Sequence, residues 1–408
     1  MNADNTENKE IEDLKAKIEE RNTQIKQLEQ EINTYNAQAE QVGNEAKTLQ
    51  NTLKTLDLTQ KKLSKDITLT QNKIIKANLT IDEVNKEIKD TKQHIEVNLE
   101  AISDAVRSAD SLDNANILMQ ILSNKNIREV WNDIDNITTV RDIIRNKSKE
   151  LNVLKSGLED KQNILLGQKK TLVNLKQDLN GKKEVVLSTT QEKAALLVQT
   201  KNQEQIYRQL VQKKEDLKTQ FEKEVFDFES QLNITVDKSK YPSGQHGILS
   251  WPLENVFITQ KFGKTVGAEK LYVSGSHNGI DFRASVGTRV KNVLEGTVVG
   301  TGNTDAYPGC YSFGKWVMIK HENGLSTVYA HLSVVSVSIG QKLSTGDLVG
   351  FSGNTGHSTG PHLHLGVYAT EGVRIEKFVS SRGCKQAVMP LADIKAYLDP
   401  MEYLPTYK

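Results

Sequence analysis

The sequence predicts an α+β protein with its two structural classes in separate domains. A long antiparallel coiled-coil hairpin with a helical tip comes first, and an all-β domain of antiparallel strands follows. Three observations predict this. All seven prolines lie at Pro242 or later, and of the 26 glycines only Gly43, Gly157, Gly167 and Gly181 come before that point. Proline and glycine damage helix interiors, so the first 241 residues read as helix. Apolar residues recur every seven positions through that half, whereas the second half carries short β-type runs between glycine-containing turns.

The first heptad run covers residues 1–98 and predicts one helix. One apolar set passes through Ile11, Ile18, Ile25, Ile32, Leu53, Ile67 and Ile95, with a companion set offset by three through Leu14, Leu28, Leu49, Leu63 and Val84. The two sets stay in phase, which is the mark of a left-handed coiled coil. A less regular run over 137–236 predicts a second helix, with Lys161, Lys182, Lys193 and Lys214 in its seam. Two arrangements satisfy the pattern, an intramolecular antiparallel hairpin or a parallel homodimer. The similar lengths favour the hairpin, each limb of about 85 residues reaching about 130 Å.

Between the limbs, 99–136 breaks the repeat and concentrates apolar side chains, among them Leu118, Leu122 and Trp131. A small helical cap burying its own core accounts for them. So does a surface that docks on a partner. Residues 237–246 (DKSKYPSGQH) form a polar linker, and 247–408 form the β domain. Its expected strands are 256–262, 288–293, 296–299, 316–320, 326–330, 348–352 and 363–368.

The 53 basic and 52 acidic residues nearly cancel, so nothing points to nucleic acid as a partner. No apolar run approaches the roughly 18 residues of a transmembrane helix. The N-terminus MNADNTENKEIEDLK lacks the apolar stretch of a signal peptide.

Histidine placement carries the chemistry. Of eight histidines, His94 sits in the coil, His246 in the linker, and His321 and His357 in turn-like contexts, where structural roles are the default. Four others, His277, His331, His362 and His364, lie beside apolar strand-like stretches. In GPHLHLGVY, alternation along a strand sends His362 and His364 to one face. In HNGID, His277 and Asp281 flank a glycine that lets the chain fold back on one ion. Two imidazoles and a carboxylate are the ligands of a catalytic zinc, which keeps a fourth position open. Histidines bonded to backbone at the core edge are the plainer alternative. No HExxH glutamate is present, so an imidazole is the natural base.

Residues from about Gly247 to Tyr368 resemble the LytM/lysostaphin-type zinc endopeptidases of the bacterial cell wall. The resemblance rests on WPL (251–253), ITQKFG (258–263), HNGIDF (277–282), YAHL (329–332) and GNTGHSTGPHLHLGV (353–367). It implies that His277, Asp281 and His364 hold one Zn2+ and that His331 and His362 are the catalytic pair. It implies peptidoglycan cross-link peptides as substrate, an extracytoplasmic location, and a signal peptide absent from this chain. The arm is similar to EnvC-like division proteins, in which the tip docks on the FtsEX membrane complex. That resemblance implies partner-binding roles for Leu118, Leu122 and Trp131. It also raises a competing function, a non-enzymatic activator of a separate cell-wall amidase. No segment matches a restraining helix.

In an exported domain the two cysteines, Cys310 and Cys384, are expected to pair; two free thiols are the alternative. The arm is further expected to restrict access to the site, with the linker 237–246 as the hinge.

Overall fold

The first heptad run is two helices rather than one. In the computed structural model, which describes residues 2–44, 48–113, 127–201, 203–231, 236–265, 275–358 and 360–407, α1 spans Asn2–Asn44 and α2 spans Leu49–Asp113. The Thr48 hydroxyl accepts the Asn51 N–H at 3.2 Å, capping the start of α2. Gly43 and Asn44 end α1 with residues suited to helix exits. An in-phase repeat hides such a break, because two helices packed on each other share the same apolar period.

The second run divides likewise, into α3 (Ile127–Thr200) and α4 (Glu204–Gln231). Between them Lys201 takes φ +46, a left-handed conformation that stops a helix. Glu204 then accepts the Leu49 N–H at 2.8 Å, capping α2 from α4, and Tyr207 and Thr52 hydroxyls meet at 2.7 Å.

Two compact units organise the chain, one of residues 1–26 and 71–176, the other of 27–70 and 177–408. In the first, Asn98 bonds Glu150, and Lys161 bonds the Thr91 hydroxyl, so α2 and α3 run antiparallel. Arg21 of α1 bonds Asn72 of α2. Residues 114–126, with Leu118 and Leu122, lie outside the described residues, as does the Trp131 side chain.

In the second unit the antiparallel pairing of α2 with α3 is made by Asp57–Lys193, Gln60–Thr190 and Thr70–Lys182. Its β domain has twelve strands among the described residues: β1 (Ile258–Gln260), β2 (Ile280–Arg283), β3 (Arg289–Lys291), β4 (Gly296–Asn303), β5 (Lys315–Lys320), β6 (Leu325–Val335), β7 (Lys342–Leu343), β8 (Leu348–Ser352), β9 (His362–Ala369), β10 (Val373–Lys377), β11 (Val388–Ala392) and β12 (Tyr397–Leu398). The main sheet runs β1-β2-β9-β6-β5-β4-β7, with β12 on β9 and β8 bridging β3 and β6; β10 and β11 form a separate hairpin. All the pairings are antiparallel.

The sheet core includes Ile280, Phe282, Leu363, Leu365 and Val367, fully buried on the two strands that carry Asp281 and the His362–His364 pair. Burying each such side chain contributes about 1.5–3 kcal/mol, which favours the register that sends them all to the core side of β2 and β9. A second contact sets the base of the coil on this domain. Leu63 of α2 and Val185 of α3 are buried with Val334 and Phe351. Gly181 permits the approach, since a Cβ there would overlap the Phe351 ring.

The linker 237–246 is not the free hinge expected. Lys240 pairs with Glu371, the Tyr403 hydroxyl donates to the Pro242 carbonyl at 3.2 Å, and His246 Nδ1 donates to the Leu404 carbonyl at 3.1 Å. It is strapped to the β domain by both backbone and side chains.

Candidate metal centre and active site

Strand register brings the acidic and basic groups together. β2 and β9 pair so that Asp281 stands opposite His364, and β6 places Ala330 opposite His364 from the other side. His277 enters just before β2 and is fixed by paired backbone hydrogen bonds with Gly263. His331 follows Ala330 on β6.

Three atoms converge. His364 Nδ1 lies 2.9 Å from Asp281 Oδ1, His277 Nε2 lies 3.3 Å from the same oxygen, and the two nitrogens are 3.2 Å apart. These side chains are buried. Zinc bonds of about 2.0–2.2 Å at tetrahedral angles separate neighbouring ligand atoms by roughly 3.3–3.6 Å, so outward shifts of a few tenths of an ångström fit the three atoms to that ion. His277 Nδ1 donates to the Lys261 carbonyl at 3.1 Å, which leaves Nε2 as the ligand nitrogen. Gly279, in the middle of HNGID, leaves room for the second imidazole, because a Cβ there would overlap the His364 ring. Burial opposes charge on Asp281, yet hydrogen bonds and the proximity of His277 and His364 outweigh it and hold the carboxyl well below its usual range.

The other two histidines stand beside this cluster. The His331 and His362 rings are 4.6 Å apart, and His331 is 6.0 Å from His364. His331 adopts φ +59, a conformation that costs a non-glycine residue about 1–3 kcal/mol and is kept here by its N–H bond to the Phe313 carbonyl. Its Nδ1 donates to the Thr355 carbonyl at 2.9 Å, leaving Nε2 as an acceptor. Burial, then the nearby His362 and His364, hold His331 well below the ordinary imidazole range, so it is neutral. His362 Nδ1 lies 2.8 Å from the Gly360 carbonyl and its Nε2 3.8 Å from Asp281 Oδ2.

All five predicted histidine and aspartate positions therefore line one cavity, of about 180 Å³. Two sets of neighbours were not foreseen. His357, read as incidental, also lines it, and burial pushes its imidazole down to about 3. The opposite wall is α4, through Lys218, Phe221, Glu222, Val225, Phe226 and Glu229. The i, i+3, i+4 spacing of these residues was the only signal of a helical face, and a coiled-coil seam has the same spacing. His321 and His246 stay outside, His321 bonding the Glu295 carbonyl and the Thr327 hydroxyl.

Cys310 and Cys384 form a disulfide that joins the loop after β4 to the segment between β10 and β11.

Residues 275–376, which enclose all five site residues, match the family described as Peptidase family M23. The chain is 32% identical over 146 residues to an uncharacterized metalloprotease of Buchnera aphidicola subsp. Baizongia pistaciae, covering 34% of this chain and 37% of that protein. It is 49% identical over 88 residues to the peptidoglycan DD-endopeptidase ShyA of Vibrio cholerae, covering 22% of this chain and 19% of that one. The crystallised catalytic domain of lysostaphin from Staphylococcus simulans aligns with 36% of this chain and 90% of its own, at 26% identity and a TM-score of 0.27. The matches to these two curated relatives thus span between about a fifth and somewhat over a third of their lengths.

Proposed function

We propose that this chain, whose residues 275–376 form a domain of peptidase family M23, is a zinc-dependent endopeptidase that cuts peptidoglycan stem or cross-link peptides outside the cytoplasm. The observation that carries this reading is the convergence of His277 Nε2, Asp281 Oδ1 and His364 Nδ1 within 3.3 Å of one another beside the paired rings of His331 and His362.

Those three atoms would hold the ion. Zinc bound there would supply a Lewis acid, able to polarise a peptide carbonyl and to make water more acidic. The remaining steps fall to the chain's own groups. His331 is neutral and has Nδ1 committed to Thr355, so Nε2 is the atom that takes the proton from water. His362, oriented by Gly360, lies on the same side and donates to the developing oxyanion or the leaving amine. The strained backbone at His331 fixes where that base stands.

Purified peptidoglycan incubated with the zinc-loaded chain should release muropeptides with new amino termini, read by mass spectrometry. No release by either the full chain or a variant with the site uncovered would overturn the proposal. The competing reading is a non-enzymatic activator of a cell-wall amidase. It is favoured by one observation, that α4 walls the site.

For the arm we propose docking of the tip, 99–136, on a membrane complex resembling FtsEX. Glutamate at Leu118, Leu122 and Trp131 should abolish co-purification with such a complex while leaving helix content unchanged by circular dichroism. Unaltered co-purification would end that assignment.

A further inference from the structure

The peptide group between Thr355 and Gly356 carries a hydrogen bond at each end. Its carbonyl accepts the His331 Nδ1–H at 2.9 Å, and its N–H donates to the Asp305 carboxylate at 2.8 Å. A carboxylate, one amide and an imidazole are thus joined in series. Asp305 lies in the turn Thr304–Ala306, on the loop from β4 to β5, and none of the five site residues is on that loop.

The surroundings fix that amide. Gly314 and Gly356 take φ +61 and +68, and their backbones touch. A Cβ on Gly314 would overlap the Thr355 carbonyl carbon, and one on Gly356 would overlap the Ser312 carbonyl oxygen. The Thr355 hydroxyl donates to the Leu332 carbonyl at 2.8 Å and accepts the Lys315 N–H at 3.1 Å. The Thr304 hydroxyl accepts the Gly314 N–H at 2.9 Å, and the His357 N–H donates to the Ser312 carbonyl at 2.7 Å. The same loop supplies the Phe313 carbonyl that accepts the His331 N–H. It therefore reaches His331 twice, once at the backbone and once, through Asp305 and the amide, at the ring.

We propose that Asp305 is a positioning residue for the general base: its carboxylate, acting through the Thr355–Gly356 amide, holds the His331 proton on Nδ1 and keeps Nε2 the basic atom. This deepens the peptidase reading and rests on it for the role of His331. The physical reason is polarisation. A carboxylate bonded to an amide N–H makes the carbonyl a stronger acceptor, because hydrogen bonds in series strengthen one another by about 10–30%. The stronger acceptor favours the tautomer protonated at Nδ1, the one neutral form that leaves Nε2 free for the proton of water. Once Nε2 is protonated the ring is a cation, and a chain of dipoles that ends on a carboxylate favours that charge. Asp305 is exposed, where water screens its direct field at His331, so the bonded amide is the route by which it acts.

The test is imidazole NMR on the zinc-loaded full chain carrying isotope-labelled histidine, the His331 signals being those lost in His331→Gln. The parent should show a slowly exchanging proton on Nδ1 and none on Nε2. Asp305→Ala should speed that exchange about tenfold or more, as expected for losing one charge-assisted hydrogen bond, and let the Nε2–H form appear. Asp305→Asn keeps an acceptor for the Gly356 N–H and removes the charge, so its exchange should fall between the two. Zinc content should stay stoichiometric in both variants, because no ligand is touched. Parental exchange and tautomer in Asp305→Ala would overturn the proposal. Should the alanine variant fail to fold, the asparagine variant decides: His331 signals identical to the parent's would overturn the proposal, and faster exchange with the Gly356 amide still protected would uphold it. A disturbed His331 tautomer with no peptidoglycan cleaved by any form of the chain would uphold the relay and sink the peptidase reading instead.

Discussion

Asp281 and His364 occupy the same rung of the β2–β9 ladder, with Oδ1 2.9 Å from Nδ1. One carboxylate at that rung also reaches His277 and His362. It is the hub of the cluster, and the expected consequences of changing its surroundings follow from that.

Removing either of the pair should remove the metal. His364→Ala and Asp281→Ala each leave two ligand atoms, too few to hold a catalytic zinc. Metal analysis after dialysis should find zinc near zero in both. Stoichiometric zinc in His364→Ala would show that the ligand set is different.

The imidazole pair should separate from the ligands by phenotype. His331→Ala and His362→Ala are expected to keep zinc and lose hydrolysis by about 100- to 10,000-fold, the usual contribution of a positioned acid or base. Turnover at the parental rate in either would take that residue out of the mechanism.

Seating of the coil on the domain should depend on Gly181. Leucine there must displace Phe351 from its buried place beside Leu63 and Val185. Overpacking of this kind costs about 1–3 kcal/mol. The melting temperature should fall by several degrees, whereas Gly167→Leu, with open space around it, should leave it unchanged.

Docking of α4 should weaken as pH rises. Burial, against the hydrogen bonds from Tyr397 and the Ala392 N–H and with Asp393 nearby, pushes Glu229 from 4.5 up to about 7. A carboxyl raised on docking favours the docked state most at low pH. That contribution is fully present below about 4.5 and is lost as pH climbs through about 7. Hydrogen exchange over 218–229 should therefore speed up between pH of about 6 and about 8. Glu229→Gln should flatten the change; a steep dependence surviving in that variant would point to another group.

The site was legible because its chemistry is local. HxH on a strand and HxxxD around a glycine each bring two side chains to one site by backbone geometry alone, so His277, Asp281, His362 and His364 could be named from spacing. β2 itself was not among the expected strands. It is only four residues, Ile280–Arg283, and without its partner it reads as the end of a turn. His357 escaped for a related reason: its place beside the cavity depends on the loop from Gly353 to Gly360 folding back, which no periodicity announces.

The sequence by itself determined that the first half is helical, that the second is a β domain, and which side chains could bind a metal. Those properties follow from propensity, period and ligand spacing, which act over a few residues. The tertiary structure decided where the heptads reverse, at Thr48 and Lys201, and which helix meets the cleft. It also decided that the linker is strapped down, leaving α4 as the covering element. A seven-residue period specifies an apolar stripe without specifying what that stripe will touch. Phe221 and Phe228 fit a coiled-coil seam and the face of Phe378 equally well, and only packing between segments about 150 residues apart in the chain selects one.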